Sequence, residues 1–597
     1  MNLHADRLES LRAQMRAQGL DAWIVPIADE HLSEYIGAYA QRLAWLTGFT
    51  GSAATAVVLL EEAAIFVDGR YTLQVREEVD AGQWQYLDVT KTTVGQWLAD
   101  RLGAQSRVGY DSWLHAQLWV RETTAQLSPN GAQVVPIEGN LIDAIWTDRP
   151  SRSVAPVVPH ALAFAGQSSA AKIAQVSEWL RSIGADAVVL CALDSIAWTF
   201  NIRGRDIEHT PVCLAYAIVG ADGSAQLLVD PAKITPDLAE HLGETVRLRP
   251  RDALLQALAD LRGARVAVDP RRSVAAICDR LAAAGAEIVE ARDPAVLPKA
   301  IKNPVEIAGH RAAQVRDGAA LSRFLHWLSA EGPREAQTEL SIAARLQAFR
   351  EATGALVDTS FRTIAGHGRN GAVVHYSASE RTDRRIEPGT LLLVDSGGQY
   401  RDGTTDVTRT VAIGTPSSEM RRRFTLVLKG HIALATALFP QGTRGGQLDV
   451  LARQYLWAEG LDYAHGTGHG VGSFLGVHEG PQRIAANGDP GEELHAGMIL
   501  SNEPGYYKAG EYGIRIENLV VVEARQIDGS EQAMLGFETL TFAPLDRALI
   551  DISLLTGSEL DWINDYHAEV ERKIGFLLEG PARDWLEAAC APIFALS

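Results

Sequence analysis

Two stretches in the first half of the chain repeat one pattern of apolar and polar positions. Residues 11–25 are typical of a helix that ends at a glycine and is followed by Asp-Ala and an apolar strand, and residues 180–190, LRSIGADAVVL, have the same order. Each is followed by a tryptophan segment, LAWLTGF around Trp45 and IAWTFNI around Trp198. Internal duplication is the simplest explanation. Because helical patterns alternate with short β-branched strands in both copies, we predict two similar α/β domains.

The periodic pattern is interrupted twice, and each interruption predicts a domain boundary. Residues 149–161, RPSRSVAPVVPHA, are rich in proline and lack a regular period, which is typical of a linker. Farther on, Asn303, Pro304 and Glu306 fit the N-cap, N1 and N3 positions of a new helix. The chain after Asp546 has helical periodicity. We therefore predict α/β domains over residues 1–155 and 156–302, a third domain over 303–543 and a helical extension over 544–597.

Composition and charge argue against several classes of protein. The 597 residues exceed what one hydrophobic core usually holds. Lysine and arginine total 55 against 74 for aspartate and glutamate, so the net charge of −19 argues against nucleic acid and anionic membranes as partners. The first fifteen residues have the pattern of a surface helix and not of a signal peptide. The weakly polar run from Ala44 to Leu60 is interrupted by glycine, serine and threonine, so it predicts strands and no membrane span.

The cysteines and the N-terminal copies offer no catalytic chemistry. The four cysteines have no CxxC spacing, which is ordinary for buried thiols in a reducing compartment; they are Cys191, Cys213, Cys278 and Cys590. We therefore expect a cytoplasmic protein. Neither copy contains clustered metal ligands or a nucleophile with its base, so both are expected to act as scaffold, lid or oligomer surface.

A candidate metal hairpin begins at Thr390. The segment TLLLVDSGGQYRDGTTDVTRTVAIG is an apolar strand, a glycine-rich turn and a threonine-rich strand. Asp395 and Asp406 would face opposite sides of one straight strand, but a chain reversal at Gly397 and Gly398 allows both carboxylates to converge. An aspartate at the end of an apolar strand is costly unless it is paired or binds metal. Two solvated turn aspartates remain an alternative at this point.

Three histidines, His465, His469 and His478, lie in the segment HGTGHGVGSFLGVHEGP. The i, i+4 spacing of the first two is that of a helical zinc pair, but the glycines between and after them would each weaken a helix by about 1 kcal/mol. Glycine at alternate positions instead favours a strand or loop that other groups approach closely. A dinucleotide fingerprint is disfavoured because the spacing is imperfect and no clear helix follows. Each histidine could still be an ordinary core or surface residue.

Further carboxylates occur in the segment MILSNEPGYYKAGEYGIRIENLVVV, which predicts strand, turn and strand. Glu503 precedes the turn and Glu517 follows it, and Arg515 is expected on the same strand face as Glu517. Arg515 could clamp a ligand or simply form a structural ion pair. Four carboxylates and one imidazole form a hard ligand set that suits manganese, iron, cobalt or zinc.

These motifs together resemble the pita-bread metallopeptidases, and specifically the three-domain cytosolic Xaa-Pro aminopeptidases. The resemblance covers nearly the whole chain and is carried by WLTGFTGSA, FVDGRYTLQ, KNPVEI, DSGGQYRDGTTDVTRT, HGTGHGVGSFLGVHEGP, NEPGYY and GIRIEN. It implies a pita-bread catalytic domain after two creatinase-like α/β domains. It also implies hydrolysis of the N-terminal Xaa-Pro bond by a water held between two divalent metal ions. Manganese is the expected metal, with zinc or cobalt as alternatives.

The resemblance assigns roles to particular residues. The implied metal ligands are Asp395, Asp406, His469, Glu503 and Glu517, of which Asp406 and Glu517 would bridge the two ions. Glu503 is the candidate proton acceptor. His375, His465 and His478 would be catalytic and substrate-binding groups outside the metal shell, with His465 beside the proline pocket. Arg70 and Arg515 are further candidates for substrate binding.

Other functions remain to be weighed against this one. A prolidase would use the same ligands on Xaa-Pro dipeptides, but the domain content argues against it. A methionine aminopeptidase would lack the duplicated front half. A catalytically dead pita-bread protein that binds peptides, histones or RNA, or a metal-free creatinase-like amidinohydrolase, is disfavoured by five intact ligands. The expected partners are peptides with proline at position two and, on the resemblance, a second copy in a homodimer.

Overall fold

The computed structural model describes residues 3–331, 336–486 and 491–594. The chain forms two compact units. The first consists of Met1–Leu162 and Gln167–Val296, and the second of Ala163–Gly166 and Leu297–Ser597. The boundary between them lies a few residues before the predicted start of the third domain.

The first half of the N-terminal unit is built on a six-stranded mixed sheet. The strand order is β4-β3-β2-β1-β5-β6, in which β1 is antiparallel to β2 and parallel to β5. The strands are β1 (Ala22–Pro26), β2 (Ala54–Leu59), β3 (Ala63–Val67), β4 (Gln85–Asp88), β5 (Arg107–Tyr110) and β6 (Gln133–Pro136). The helices are α1 (Leu3–Ala17), α2 (Arg42–Thr47), α3 (Gln74–Glu78), α4 (Val94–Ala99) and α5 (Gln117–Leu127).

The second half of this unit repeats the same topology. Its sheet has the order β12-β11-β10-β8-β13-β14, with β8 antiparallel to β10 and parallel to β13. The strands are β7 (Val158–Pro159), β8 (Ala187–Leu190), β9 (Ile202–Arg203), β10 (Ala215–Gly220), β11 (Ala225–Val229), β12 (Val246–Pro250), β13 (Arg265–Val268) and β14 (Glu287–Glu290). The helices are α7 (Ser169–Ile183), α8 (Leu193–Thr199), α9 (Pro236–Leu242), α10 (Leu254–Ala259) and α11 (Ala275–Ala284). Only the first residue of α6 (Leu162–Ala165) and of α12 (Val296–Ala300) belongs to this unit, and the rest of each belongs to the second unit. The predicted pair of similar α/β domains is confirmed.

Both sheets are covered on their two faces, which explains why the central strands are apolar throughout. In β1, Trp23 and Val25 belong to one hydrophobic cluster, whereas Ala22 and Ile24 belong to another. Successive side chains of a strand point to opposite faces, so a strand between two layers must be apolar at every position. The residues of β8 divide between two clusters in the same way.

One secondary-structure prediction in this region is partly wrong. The run from Ala44 to Leu60 begins in helix α2 and becomes a strand only at Ala54. Leu43 and Leu46 are buried at helical spacing, and this packing outweighs the glycine and threonine that suggested strands. The cysteines agree with their prediction, since all four are buried free thiols. In the described part of the chain, no helix is both long and apolar enough to cross a membrane.

The second unit contains the predicted metal segments. The helices are α13 (Pro304–Glu331), α14 (Glu339–Glu351), α15 (Ser418–Ala435), α16 (Gly445–Trp457), α17 (Gly557–Ile574) and α18 (Gly580–Cys590). The first strands are β15 (Asp358–Thr359), β16 (Ile364–His367), β17 (Thr390–Ser396), β18 (Gly398–Tyr400), β19 (Gly403–Thr404), β20 (Val407–Ile413) and β21 (Phe439–Pro440). The remaining strands are β22 (Gly468–Gly470), β23 (Glu479–Ile484), β24 (Ile499–Asn502), β25 (Gly505–Lys508), β26 (Tyr512–Arg515), β27 (Asn518–Arg525) and β28 (Met534–Thr539).

The strands of the second unit form several sheets, two of which carry the candidate ligands. The sheet β16-β17-β20 is antiparallel, and a six-stranded sheet has the order β21-β28-β27-β24-β22-β23. The strands β15, β18 and β19 form a small sheet, and β25 with β26 forms a hairpin. Helices α17 and α18 of the C-terminal extension bury apolar side chains in the core that also covers this hairpin.

The predicted start of α13 is confirmed in detail. The Asn303 side chain accepts hydrogen bonds from the backbone amides of Val305 at 2.9 Å and Glu306 at 3.1 Å. The Glu306 carboxylate in turn accepts from the Asn303 amide at 3.0 Å. This reciprocal arrangement is a capping box, and Pro304 occupies the first helical position, where its missing N–H is not needed.

Helix α13 also carries a buried histidine with a consequence for stability. His310 is fully buried, and burial lowers its pKa to about 3. An unfolded histidine has a pKa of about 6.5, so His310 binds a proton near pH 6.5 in the unfolded state. In the folded state it binds that proton only near pH 3. The stability that His310 contributes is therefore present above pH 6.5 and is lost as the pH falls toward 3.

Replacing this histidine should flatten the pH dependence of unfolding. Between pH 7 and pH 5, the free energy of unfolding of the wild type should fall by about 2 kcal/mol more than that of His310→Leu. Urea unfolding at the two pH values measures the difference. His326→Leu, at a partly exposed position of the same helix, is the matched control. An identical pH dependence for wild type and His310→Leu would contradict the assignment.

Candidate metal centre

The five predicted ligands all lie within or directly next to strands of the two ligand-bearing sheets. Asp395 is near the end of β17, and Asp406 directly precedes β20. His469 is the central residue of β22. Glu503 directly follows β24, and Glu517 directly precedes β27. Because β24 and β27 pair through Asn502 and Asn518, the two glutamates leave adjacent strands at the same edge.

The two aspartates converge because β17 and β20 form an antiparallel ladder. Asp395 lies opposite Thr408, so their side chains share one face of the sheet. Asp406 is two residues before Thr408 and is placed on that same face by strand alternation. Asp395 is 8% exposed and Asp406 is 3% exposed. The alternative of two solvated turn aspartates is therefore wrong.

The predicted hairpin is confirmed, but its reversal does not lie at the two glycines. Gly398 belongs to strand β18, and the chain turns at residues 401–402 between β18 and β19. A side chain at Gly397 would place its Cβ 1.9 Å from the carbonyl oxygen of Thr405. Gly397 is therefore required by the close approach of two chain segments and not by a turn.

His469 lies on a strand, which agrees with the rejection of a helical zinc pair. A Cβ at Gly468 would lie 2.0 Å from the Ser501 carbonyl oxygen, and one at Gly470 would lie 2.1 Å from the Glu479 carbonyl oxygen. The alternate glycines thus permit close strand packing, as predicted. The Nδ1 of His469 donates to the carbonyl oxygen of Gly470 at 2.9 Å, which leaves Nε2 available as a ligand.

Ligand atoms from distant parts of the chain meet around His469. One ligand atom each from Asp406, His469 and Glu517 lie within 4.8 Å of one another. The Nε2 of His469 is 3.5 Å from Asp406 Oδ2 and 3.5 Å from Glu503 Oε1. Asp395 Oδ1 is buried and has no hydrogen-bond partner among the described residues. A buried carboxylate oxygen without a partner beside three other carboxylates fits a site that binds cations.

Side chains behind the predicted ligands hold them in place. Thr408 donates to Glu517 Oε2 at 2.7 Å, and Ser501 donates to Glu503 Oε1 at 3.0 Å. Arg515 donates to Asp395 Oδ2 at 2.7 Å. The expectation that Arg515 and Glu517 share one strand is wrong, because β26 ends at Arg515 and β27 begins after Glu517. This break lets Arg515 face Asp395 while Glu517 faces Thr408.

The electrostatics of the cluster favour bound cations. Burial raises the pKa of Asp395, Glu503 and Glu517, and the neighbouring carboxylates raise each pKa further. Burial by itself lowers the pKa of His469, but its contact with Asp406 and the charge of Glu503 raise it to about 9. Burial and mutual repulsion therefore oppose the charged form of these three carboxylates. The donor set fits divalent ions, whose positive charge would stabilise the ionised carboxylates.

The structure also brings the predicted non-ligand histidines to this site. The rings of His469 and His478 are 4.4 Å apart between centroids, and those of His478 and His375 are 6.5 Å apart. The Nε2 of His465 lies 2.8 Å from the hydroxyl of Tyr507. His478 thus lies beside the ligand His469 and His375 lies beside His478, whereas His465 is connected to the cluster through Tyr507 and Arg515.

A buried glutamate organises the loop that carries His375. The next residue, Tyr376, donates its hydroxyl to Glu339 Oε2 at 2.7 Å. The same carboxylate accepts from the side chain of Asn370 at 2.9 Å and from the backbone amide of His367 at 2.8 Å. Four donors on one fully buried carboxylate give this loop a defined conformation.

His478 is held by a second buried carboxylate. The adjacent Glu479 pairs with Lys299 at 2.8 Å and also with Lys302, and all three side chains are about 1% exposed. Glu479 also begins strand β23, which pairs with the strand of His469. The position of His478 is thereby tied to the start of the second unit.

Sequence reasoning missed Tyr507 and Thr408. Tyr507 accepts a hydrogen bond from Arg515 at 2.6 Å and also contacts His465, so it links two predicted site residues. A signal for Thr408 was present, because it alternates with Asp406 on one strand face. Arg70 lies in the N-terminal unit, where its guanidinium pairs with Asp68 at 2.7 Å, and its contact with substrate stays a prediction.

Family profiles match the chain over most of its length. Residues 308–524 match metallopeptidase family M24, and residues 533–593 match the C-terminal region of peptidase M24. Residues 7–145 and 148–306 each match the creatinase/prolidase N-terminal domain. Fold and site together define a metallopeptidase of the M24 class with two creatinase-like domains, which confirms the predicted fold.

Individual relatives show which family of M24 metallopeptidases the chain resembles. The chain is 40% identical to aminopeptidase P2 of Arabidopsis thaliana, over 97% of this chain and 87% of the relative. It is 41% identical to a probable Xaa-Pro aminopeptidase P of Laccaria bicolor, over 98% and 93%. An X-prolyl aminopeptidase structure from Caenorhabditis elegans, described as a cytosolic enzyme with a di-nuclear active site, has a TM-score of 0.95 at 34% identity and covers 99% of this chain and 100% of its own. The chain therefore belongs to the Xaa-Pro aminopeptidase family, and the predicted family is confirmed.

Proposed function

We propose that this chain is a metal-dependent aminopeptidase that hydrolyses the bond between an N-terminal residue and a following proline. The observation that supports this proposal is the convergence of the candidate ligands: Asp406, His469 and Glu517 have ligand atoms within 4.8 Å of one another, Glu503 lies 3.5 Å from His469, and the charge of Asp406 raises the pKa of the buried Asp395. Full-length similarity to Xaa-Pro aminopeptidases supports the same activity. A di-nuclear site is described for the C. elegans enzyme, and two divalent ions are accordingly the proposed cofactor here.

Asp395, Asp406, His469, Glu503 and Glu517 would hold the two ions, with Asp406 and Glu517 shared between them. When bound, the ions supply a water of lowered pKa and positive charge to stabilise the attacked carbonyl oxygen. Manganese is the proposed ion, with zinc and cobalt as alternatives, because a carboxylate-rich site accepts several divalent metals and availability decides among them.

Glu503 is proposed to accept the proton of the attacking water. Its Oε1 receives a hydrogen bond from Ser501 at 3.0 Å, and burial raises its pKa, as suits a group that takes up and returns a proton. The nitrogen of an Xaa-Pro bond carries no hydrogen, so it must be protonated as it leaves. Glu503 is the proposed source of that proton.

The three neighbouring histidines are proposed to orient the substrate. His375 and His478 would donate hydrogen bonds to the carbonyl oxygen as negative charge develops on it. His465, joined to Arg515 through Tyr507, would form part of the wall of the proline pocket. Arg515 is proposed to contact the substrate as well. It also donates a hydrogen bond to the metal ligand Asp395 and so holds that carboxylate in place. Arg70 is proposed as a further substrate contact.

The finer properties of the protein are proposals as well. We propose a cytoplasmic location and a homodimer, together with the division into domains 1–155, 156–302, 303–543 and 544–597. The cytosolic description of the C. elegans enzyme supports the location. Peptides with proline at position two are the proposed partners.

Substrate preference tests this function. We expect Xaa-Pro-Yaa peptides to be cleaved after the first residue and matched Xaa-Ala-Yaa peptides to be cleaved far more slowly, since the pocket would accept the proline ring. Chromatographic assay of released Xaa from both series, with Xaa-Pro dipeptides alongside, gives the comparison. Faster cleavage of the dipeptides would favour a prolidase. No cleavage of any peptide by metal-loaded protein would favour a binding protein.

A further inference from the structure

Arg409 is a buried cation that the proposed chemistry does not use. It lies on β20, and the residue is 2% exposed. Its guanidinium makes six hydrogen bonds, all to neutral acceptors, and within the described ranges no carboxylate lies within ion-pair distance. The acceptors are the carbonyl oxygens of Thr408 at 2.8 Å, Glu517 at 2.7 Å, Ala543 at 2.8 Å and Pro544 at 3.2 Å, Asn518 Oδ1 at 2.8 Å and the Tyr566 hydroxyl at 2.8 Å.

Two of these contacts join the two ligand-bearing sheets, because they connect β20 to the residue directly before β27. Nη1 of Arg409 donates to the carbonyl oxygens of Thr408 and Glu517 together. Thr408 is the residue whose hydroxyl holds the Glu517 carboxylate, and its carbonyl oxygen accepts the Glu517 amide at 3.2 Å. Arg409 therefore fixes the backbone of Glu517, one of the two predicted bridging ligands. Arg409 itself lies on β20, the strand that directly follows the other bridging ligand, Asp406.

The other contacts reach the C-terminal extension. Nη2 of Arg409 donates to the carbonyl oxygen of Ala543, directly before the extension, and to the hydroxyl of Tyr566 on α17. The Tyr566 hydroxyl donates in turn to the carbonyl oxygen of Ala543 at 2.9 Å. The Tyr566 ring stacks on Trp562 with centroids 5.3 Å apart and the planes 1° from parallel. The extension thus presents a rigid hydroxyl to the arginine.

Stability alone gives little reason for this arrangement. A charge buried without a counter-ion carries a large desolvation cost, and well-packed apolar side chains usually stabilise a core at least as well. The planar guanidinium, however, can hold several backbone carbonyls in fixed directions at once, which an apolar residue cannot do. Groups that fix the ligands of a metal site commonly change its affinity 10–100-fold.

We propose that Arg409 and Tyr566 are positioning residues for metal binding. Through Tyr566, helix α17 of the C-terminal extension then contributes to the affinity of the metal centre. Arg409 acts by fixing the backbone of Glu517, and Tyr566 acts by orienting Arg409. The proposal rests on the proposed function insofar as Glu517 binds metal. It predicts that a change in α17, remote in sequence from every ligand, alters the metal site.

Metal affinity and a cobalt spectrum test the proposal. The purified full chain, stripped of metal, is titrated with Mn²⁺ in competition with a fluorescent chelator, and its Co²⁺ form is examined by visible absorption. We expect Arg409→Lys to weaken the binding of at least one ion by about 10–100-fold and to alter the cobalt spectrum. Tyr566→Phe, which keeps the stacked ring, should weaken binding several-fold in the same direction.

Glu559→Gln is the matched control. Glu559 also lies on α17 and is nearly buried, but it pairs with Lys429 at 2.6 Å and makes no contact with Arg409. Its variant should lose thermal stability while it keeps the wild-type metal affinity and cobalt spectrum. A loss of affinity in Glu559→Gln as large as in Tyr566→Phe would overturn the proposal, since any weakening of the helix would then suffice.

The outcomes separate this inference from the proposed function. If the wild-type chain binds two ions and both Arg409→Lys and Tyr566→Phe bind them with unchanged affinity and spectrum, only the positioning role is refuted. If the wild-type chain binds no metal, the proposed function fails first. Should Arg409→Lys fail to fold, the metal affinities and cobalt spectra of Tyr566→Phe and Glu559→Gln are sufficient to test the positioning role.

Discussion

Replacing Asp406 by asparagine is expected to abolish turnover and to lower bound metal below two equivalents. Asp406 is 3% exposed and lies 3.5 Å from His469, in the group of three ligand atoms that also includes Glu517. The amide keeps the size of the side chain but removes the charge and one oxygen that a shared ligand requires. Metal analysis of the purified variant, together with assay of an Xaa-Pro-Yaa peptide, measures both effects.

Asp402→Asn is the control for this substitution. Asp402 lies in the turn of the same hairpin, where it pairs with Arg316 at 2.9 Å, and it is not among the ligand atoms that meet around His469. This variant should retain two metal ions and nearly the wild-type rate. Two equivalents of metal and normal cleavage in Asp406→Asn would show that the ligand assignment is wrong.

Replacing His375 or His478 by alanine is expected to lower kcat by about 10²–10³ and to leave metal content at two ions. This loss corresponds to about 3–4 kcal/mol of stabilisation that exists mainly in the transition state. The effect on KM should be smaller, because a hydrogen bond to a carbonyl oxygen strengthens as that oxygen gains charge. Steady-state kinetics beside metal titration gives both quantities.

His495→Ala, a partly buried histidine elsewhere in the catalytic region, is the control for the loss of an imidazole. If the His375 or His478 variant lost metal, that histidine would be a ligand. If kcat per folded molecule were unchanged while thermal stability fell, the histidine would have a structural role only. Either result would remove the proposed contact with the carbonyl oxygen.

Local patterns in the sequence predicted much of the fold. The capping residues Asn303 and Glu306 act within one turn of helix α13, so their function follows from their spacing. The apolar strands of the two N-terminal sheets are recognisable because every position faces a packed layer. Where a local signal has two physical causes, prediction failed: Gly397 and Gly398 indicated a turn, but Gly397 permits close packing against Thr405 and Gly398 permits close packing against Tyr400 and Leu356.

Long-range contacts account for what the sequence left open. Nothing near Glu517 indicates that its carboxylate is held by Thr408 or that its carbonyl oxygen is held by Arg409. These contacts join two sheets from distant parts of the chain. Likewise, the helical period of the C-terminal extension indicates a helix but not that Tyr566 faces a buried arginine.

The sequence by itself thus determined the identities of the candidate ligands, their placement near strand ends and the family to which the chain belongs. Alternation along a strand has a period of two residues, so it places Asp406 and Thr408 on one face without reference to the rest of the molecule. The tertiary structure alone decided that Asp406, His469 and Glu517 meet within 4.8 Å. The reason is physical: their convergence depends on how β20, β22 and β27 pack, and that packing is set by contacts across the core that no local period encodes.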